Sequence, residues 1–316
     1  MSELRLGTRG SVLARTQSGH VKDALESSGQ VEVHLEIIRT TGDEYQDRPL
    51  PEIGGKGLFT AELDRALLEG DLDLAVHSLK DLPTEDPDGL VLAAVPQRVD
   101  PRDVIVGPAG RETSLSSLKS GAKLGTGSLR RQALARAFRE DLKVEGIRGN
   151  LDTRIRKVDE GEYDAIVVAA AGVLRLDLEE RVGEWLEATS WLPAPGQGAL
   201  AVVAREDDED TRRILERLDH PPTRAAVLAE RTVLEELEGG CQVPIGALGL
   251  PFDGGLRLWA LVASPDGRRL VRWDQTGDIR EPEELGRAVA GVLRDRGAME
   301  ILEGIERGET PTLTHP

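Results

Sequence analysis

Through the first two hundred residues, short apolar runs of strand length alternate with longer stretches of helical periodicity, and no other feature constrains the fold as strongly. Strand, helix and strand in succession pack as βα units, so the pattern predicts an α/β fold with mostly parallel sheets under helices. Residues 4–6 read as a strand, 11–25 as a helix with Ser11 as N-cap and 33–38 as a second strand. A helix at 58–68 and a buried strand at 72–76 follow. That strand delivers His77-Ser78-Leu79-Lys80-Asp81-Leu82-Pro83 into a loop. Ligands of open α/β sheets sit beyond the carboxyl ends of strands, which makes this loop a candidate active site.

A second βα series begins near Asp103, with strands at 103–106, 123–124, 144–147 and 165–168, each expected to precede a helix. The stiff segment Pro193-Ala194-Pro195-Gly196-Gln197-Gly198 then leads into a strand at 199–204 that returns the chain to the first sheet. From about residue 220 the character changes to a long amphipathic helix (224–237), Gly239-Gly240-Cys241, strands separated by Pro-Asp-Gly, and a helix from Pro282. This is a separate α+β unit. The expected division is 1–97 with 198–219, then 98–197, then 220–316.

Apolar residues make up 39% of the 316, enough for full cores, and the longest apolar runs, 165–173 and 199–204, fall short of the ~20 residues that span a bilayer. The first residues carry both charge signs and no apolar stretch of signal type, so a cytoplasmic location is expected. One cysteine forms no internal disulfide and leaves a thiol to be explained. A net charge of -17 argues against nucleic acid or an anionic membrane as partner. Acids are abundant and lysine is scarce, 7 against 33 arginines, a bias that suits a surface hydrated at high salt.

Against that charge, residues 120–157 hold ten basic and four acidic side chains. Arg136, Arg139, Arg156 and Lys157 read as a balanced surface. Arg130 and Arg131, in Gly125-Thr126-Gly127-Ser128-Leu129-Arg130-Arg131, fall in the first turn of a helix, where the macrodipole disfavours cations by about 0.3–1 kcal/mol. A bound anion reverses that sign. Thr8-Arg9-Gly10-Ser11 repeats the arrangement, and Arg148 and Arg154 flank a third strand-to-helix turn. Three such turns predict an anion-binding cleft. Gly54-Gly55-Lys56-Gly57 lacks the ending of a phosphate loop and reads as a lid carrying Lys56. Asp81 is placed either as a turn residue before Pro83 or as a carboxylate that stabilises a cationic intermediate. His77 reads as a strand-end structural residue or at most a hydrogen-bond donor; five scattered histidines and one cysteine give no metal spacing, and no metal is expected. Cys241 sits between Gly239-Gly240 and Gln242-Val243-Pro244, a shaped loop in which a thiolate forms a thioether with an electrophile.

The run 230–246, around Gly239-Gly240-Cys241-Gln242-Val243-Pro244, resembles the cofactor-attachment motif of the hydroxymethylbilane synthase (porphobilinogen deaminase) family. The resemblance continues, in the family's order, through Thr8-Arg9-Gly10-Ser11, Gly54-Gly55-Lys56-Gly57, the segment 75–83, Ser128-Leu129-Arg130-Arg131, Arg148-Gly149-Asn150 and 194–199. It implies two periplasmic-binding-protein-like, doubly wound domains plus a C-terminal α+β domain. It also implies a transferase that joins four porphobilinogen molecules head to tail onto a dipyrromethane cofactor held by thioether to Cys241, with loss of ammonia and hydrolytic release of a linear tetrapyrrole. By the same resemblance Asp81 is the catalytic carboxylate. Cys241, Lys80, Asp81, Ser128, Arg130 and Arg131 hold the cofactor; Arg9, Ser11, Gln17, Lys56, Arg148 and Arg154 take the acetate and propionate arms of the substrate and of the growing polypyrrole chain. Two positions depart from the pattern: Gly127 stands where many members have serine, and Glu52 where some have a base. The enzyme is expected to act as a monomer.

A non-catalytic two-lobed anion-binding protein would use the same arginine turns, but it gives Cys241 no role. A nucleotide-dependent enzyme would need a phosphate loop or dinucleotide fingerprint, and the sequence has neither.

Overall fold

The computed structural model describes residues 2–40, 60–85, 87–237 and 243–307. Lys56, Glu52, Cys241 and the expected lid lie outside the described residues. Strand β1 (Ser2–Arg9) runs into helix α1 (Val12–Glu26), whose N-cap Ser11 is extended and accepts a hydrogen bond from the Ala14 amide at 3.2 Å. A cap of this kind contributes about 1 kcal/mol and fixes where the helix begins. Strand β2 (Val31–Ile38) lies parallel to β1, and β3 (Leu74–Ser78) lies parallel on its other side after helix α2 (Ala61–Leu68). With β4 (Leu90–Ala94) and the returning β10 (Leu200–Arg205) they form one sheet in the order β2-β1-β3-β10-β4.

The second sheet, β7-β6-β8-β5-β9, is built from β5 (Asp103–Val106), β6 (Lys123–Gly125), β7 (Lys143–Glu145), β8 (Ala165–Ala169) and β9 (Val182–Trp185). Helices α3 (Leu129–Phe138), α4 (Leu151–Asp159) and α5 (Ala170–Arg175) connect its strands. In each sheet the strand that has just crossed from the other one, β5 or β10, pairs antiparallel beside the third parallel strand. This corrects the expectation that β5 opens a βα unit. Gly107-Pro108-Ala109-Gly110 follows it, with Gly110 at φ +71°, and a proline and a left-handed glycine cannot continue a helix there. The strand expected at 72–76 is Leu74–Ser78, so His77 and Ser78 belong to the strand and not to the loop.

After helix α6 (Glu209–Leu215), helix α7 (Pro221–Glu236) begins the third unit: an antiparallel meander of β11 (Ile245–Phe252), β12 (Gly255–Ala263) and β13 (Leu270–Asp278), covered by α8 (Pro282–Asp295) and α9 (Ala298–Glu306). Its core is one apolar cluster around Val233, Leu258, Val262 and Val289. At the β12–β13 turn, Gly267 has φ +75°, and a Cβ there would lie 2.6 Å from the Ala137 amide nitrogen, so the bare glycine lets this turn pack on α3. Arg136, expected on a balanced surface, is instead partly buried at the same contact and donates to the Pro265 carbonyl. Glu230 of α7 is fully buried and joins three places: it pairs with Arg98 and accepts from the Gly196 and Gly249 amides. Arg98 and Gly196 belong to the two crossings between the sheets.

Candidate active site

At the end of β3 the chain makes one 3-10 turn, Leu79–Asp81. Leu79 is buried under the second crossing, where Gly196 (φ +73°) leaves no room for a side chain: a Cβ would sit 2.7 Å from Leu79 Cδ2. With Leu79 pinned, Lys80 and Asp81 line a cavity of about 340 Å³ between the two five-stranded units. Arg9, Ser11, Gln17 and Ser78 line it from the first unit and Arg131, Arg148, Arg154 and Arg175 from the second. Among the described lining residues there are six cations and one carboxylate, Asp81.

Such crowding is costly without an anion. Burial, added to by Arg131, brings the half-buried Lys80 ammonium down to about 8, and Lys80 makes only a long contact, 3.4 Å, with Gln197 Oε1. Burial followed by Arg131 and Arg148 brings Arg154 down to about 10, and its Nε is committed to the Gly149 carbonyl at 2.7 Å. Burial does the same to Arg175, to about 10. A polycarboxylate in the cavity would reverse these shifts, and the guanidinium forks would meet it bidentately.

Beneath the cavity wall lies a carboxylate that the sequence reading gave no role. Asp103, fully buried, pairs with Arg130 at 2.9 Å and Arg131 at 2.8 Å and accepts from Trp191 Nε1 and Gln197 Nε2. Burial alone would raise its pKa, but the two guanidinium groups outweigh that and hold it below the usual carboxylate range. The counter-charge inferred for Arg130 and Arg131 from the helix dipole is therefore this protein carboxylate, and a bound anion is not needed to explain their placement. Arg130, 2% exposed and bonded also to the Leu192 carbonyl, does not line the cavity; Arg131 does. Ser128 is likewise set back from the cavity as N-cap of α3, accepting from the Arg131 amide at 3.4 Å. Arg130→Leu is accordingly expected to lower stability by about 3 kcal/mol or more, because it strips one partner from a buried charge. Chemical denaturation of parent and variant checks this; equal midpoints would return Arg130 to a purely ligand-binding role.

Residues 4–213 match the family described as "Porphobilinogen deaminase, dipyromethane cofactor binding domain", and 224–295 match its C-terminal domain. The chain belongs to the porphobilinogen deaminase family. The porphobilinogen deaminase of Desulforudis audaxviator is 51% identical over 97% of this chain and 99% of its own, and that of Syntrophobacter fumaroxidans 47% identical over 96% and 98%. Among solved structures, the methionine-binding protein MetQ is similar over 68% of this chain and 89% of its own, at 12% identity and a TM-score of 0.44.

Of the residues that the porphobilinogen deaminase resemblance singles out, the structure brings Arg9, Ser11, Gln17, Lys80, Asp81, Arg131, Arg148 and Arg154 to one cavity. Gln17 is held by donating to Ser78 Oγ at 3.1 Å. Arg175 belongs to the same lining and was missed: it closes the otherwise apolar α5 and donates to the Gly198 carbonyl at 2.9 Å. Its signal was an arginine ending the apolar run 165–174. Asp103 had a similar one, an acid opening the apolar strand 103–106. Among the described residues there is no cluster suited to a metal and no helix long and apolar enough to cross a membrane.

Proposed function

We propose that this chain is a hydroxymethylbilane synthase, a transferase that condenses four porphobilinogen molecules stepwise onto a dipyrromethane attached to Cys241, releasing ammonia at each step and the linear tetrapyrrole by hydrolysis. The observation that carries this reading is the cavity with six cations around one carboxylate. Every pyrrole brings two carboxylates, so a chain of pyrroles is the anion such a lining suits, and the dipyrromethane fits the same donor set. When bound, the dipyrromethane supplies the free α-carbon from which the product grows.

In this reading Arg131, Arg148, Arg154, Arg175 and Lys80 hold carboxylates of the cofactor and the growing chain, while Arg9, Ser11 and Gln17 hold those of the incoming pyrrole. Asp81 stands where positive charge develops as porphobilinogen loses ammonia, and a fixed carboxylate there stabilises the transition state more than the ground state. Asp103 and Gln197 position Arg131. The same reading divides the chain into 1–97 with 198–219, 98–197 and 220–316, places it in the cytoplasm, and has it act as a monomer.

Incubation with porphobilinogen tests the proposal. Ammonia and tetrapyrrole are expected in a ratio of four to one. Porphobilinogen bound without release of ammonia would favour the non-catalytic anion-binding protein instead.

A further inference from the structure

His77 is a buried titratable group for which the reaction above has no use. It lies near the end of β3, opposite Ala201 of β10, and is 6% exposed. Its Nε2 is enclosed without a hydrogen-bond partner, and no hydrogen bond to either ring nitrogen is found among the described residues. A buried polar group left in this state is rare unless a ligand or water completes it. The ring lines a second, smaller chamber of about 70 Å³ that adjoins the main cavity and shares with it Arg9, Ser11, Gln17, Ser78 and Asp81. That space suits a short carboxylate arm.

Of the polar groups around the chamber, the Asp81 carboxylate accepts no hydrogen bond from the described residues, and two others are committed. Ser11 Oγ caps α1, and the Gln17 amide is spent on Ser78 Oγ. Burial, followed by the charge of Arg9, lowers the imidazole to about 4, so it stays neutral at any working pH and always has one N–H to give. Which nitrogen faces the chamber is exchanged by a half-turn of the ring.

We infer that His77 is a specificity residue of the incoming-substrate site, donating a hydrogen bond to one carboxylate arm of porphobilinogen that Arg9 neutralises in this side chamber. The inference rests on the proposed function for the identity of the substrate, and on the chamber alone for its chemistry. An arm ending in a carboxylate is accepted. An uncharged group is disfavoured, because it gives the His77 N–H and the Arg9 charge no carboxylate to share.

Two measurements test it. In His77→Phe, which removes the donor, KM for porphobilinogen is expected to rise roughly ten- to a hundredfold while kcat stays within about threefold, and in His77→Gln, which keeps an N–H donor, KM is expected to rise less. The amount of attached dipyrromethane is expected to stay the same, since the cofactor's arginines lie elsewhere. In the parent, the imidazole signal of His77 is expected to shift on titration with sodium acetate and to stay put with sodium chloride. That readout needs no turnover, so it separates failure of this inference from failure of the proposed activity. Unchanged KM in both variants together with an unmoved imidazole signal would mean the chamber holds water only, and would overturn the assignment. A variant that loses kcat and cofactor together would overturn it in favour of a structural role.

Discussion

Asp81→Ala lowers kcat by roughly a hundred- to a thousandfold while leaving the fold and the attached cofactor in place. Asp81 is the one carboxylate in a lining of six cations, so its charge is the only negative one the described cavity can offer a developing pyrrole cation. It is exposed to the cleft and accepts no hydrogen bond from the described residues, so the fold loses little with it; surface changes of this kind stay within about 0.5 kcal/mol. Asp81→Asn keeps the shape without the charge and is expected to fall as far. Single-turnover kinetics with cofactor content measured in parallel check the point, and turnover within threefold of the parent in both variants would remove Asp81 from the chemistry.

Cys241→Ala is expected to abolish turnover, and with it the excess mass of a dipyrromethane unit expected on the parent. The lone thiol lies between glycines and a proline, eleven residues beyond the buried Glu230, in the segment that enters from the end of α7. A thioether is not cleaved by thiol reductants, so the added mass persists in them and a mixed disulfide at the same position would not. Intact-mass measurement and peptide mapping decide it. An active parent of unmodified mass, or an adduct on another residue, would end the assignment.

How far the sequence reached depends on which interactions set each feature. The strands at β1, β2, β8 and β10, the Ser11 cap and the arginine turns are local and are legible as periodicity and capping. The direction of β5 is not, because it is decided by which sheet the chain has just left, a long-range fact that a four-residue strand does not carry. Arg130 and Arg131 show the same limit at the site. The helix dipole demands a negative partner for them, but Asp103 is 27 and 28 residues away in sequence and on a separate element, so the sequence points to a ligand in its place. For His77 the sequence leaves a structural residue and a hydrogen-bond donor open, because an imidazole at a strand end serves as either; the missing hydrogen-bond partner and the chamber beside it favour the donor.

The attachment of Glu230 to both crossings acts as a bearing acts in a hinge. A body bolted at the axis of two levers neither follows nor resists their swing, since its arm about that axis is short. A rotation of one five-stranded unit against the other about these crossings would therefore displace the residues around Glu230 least.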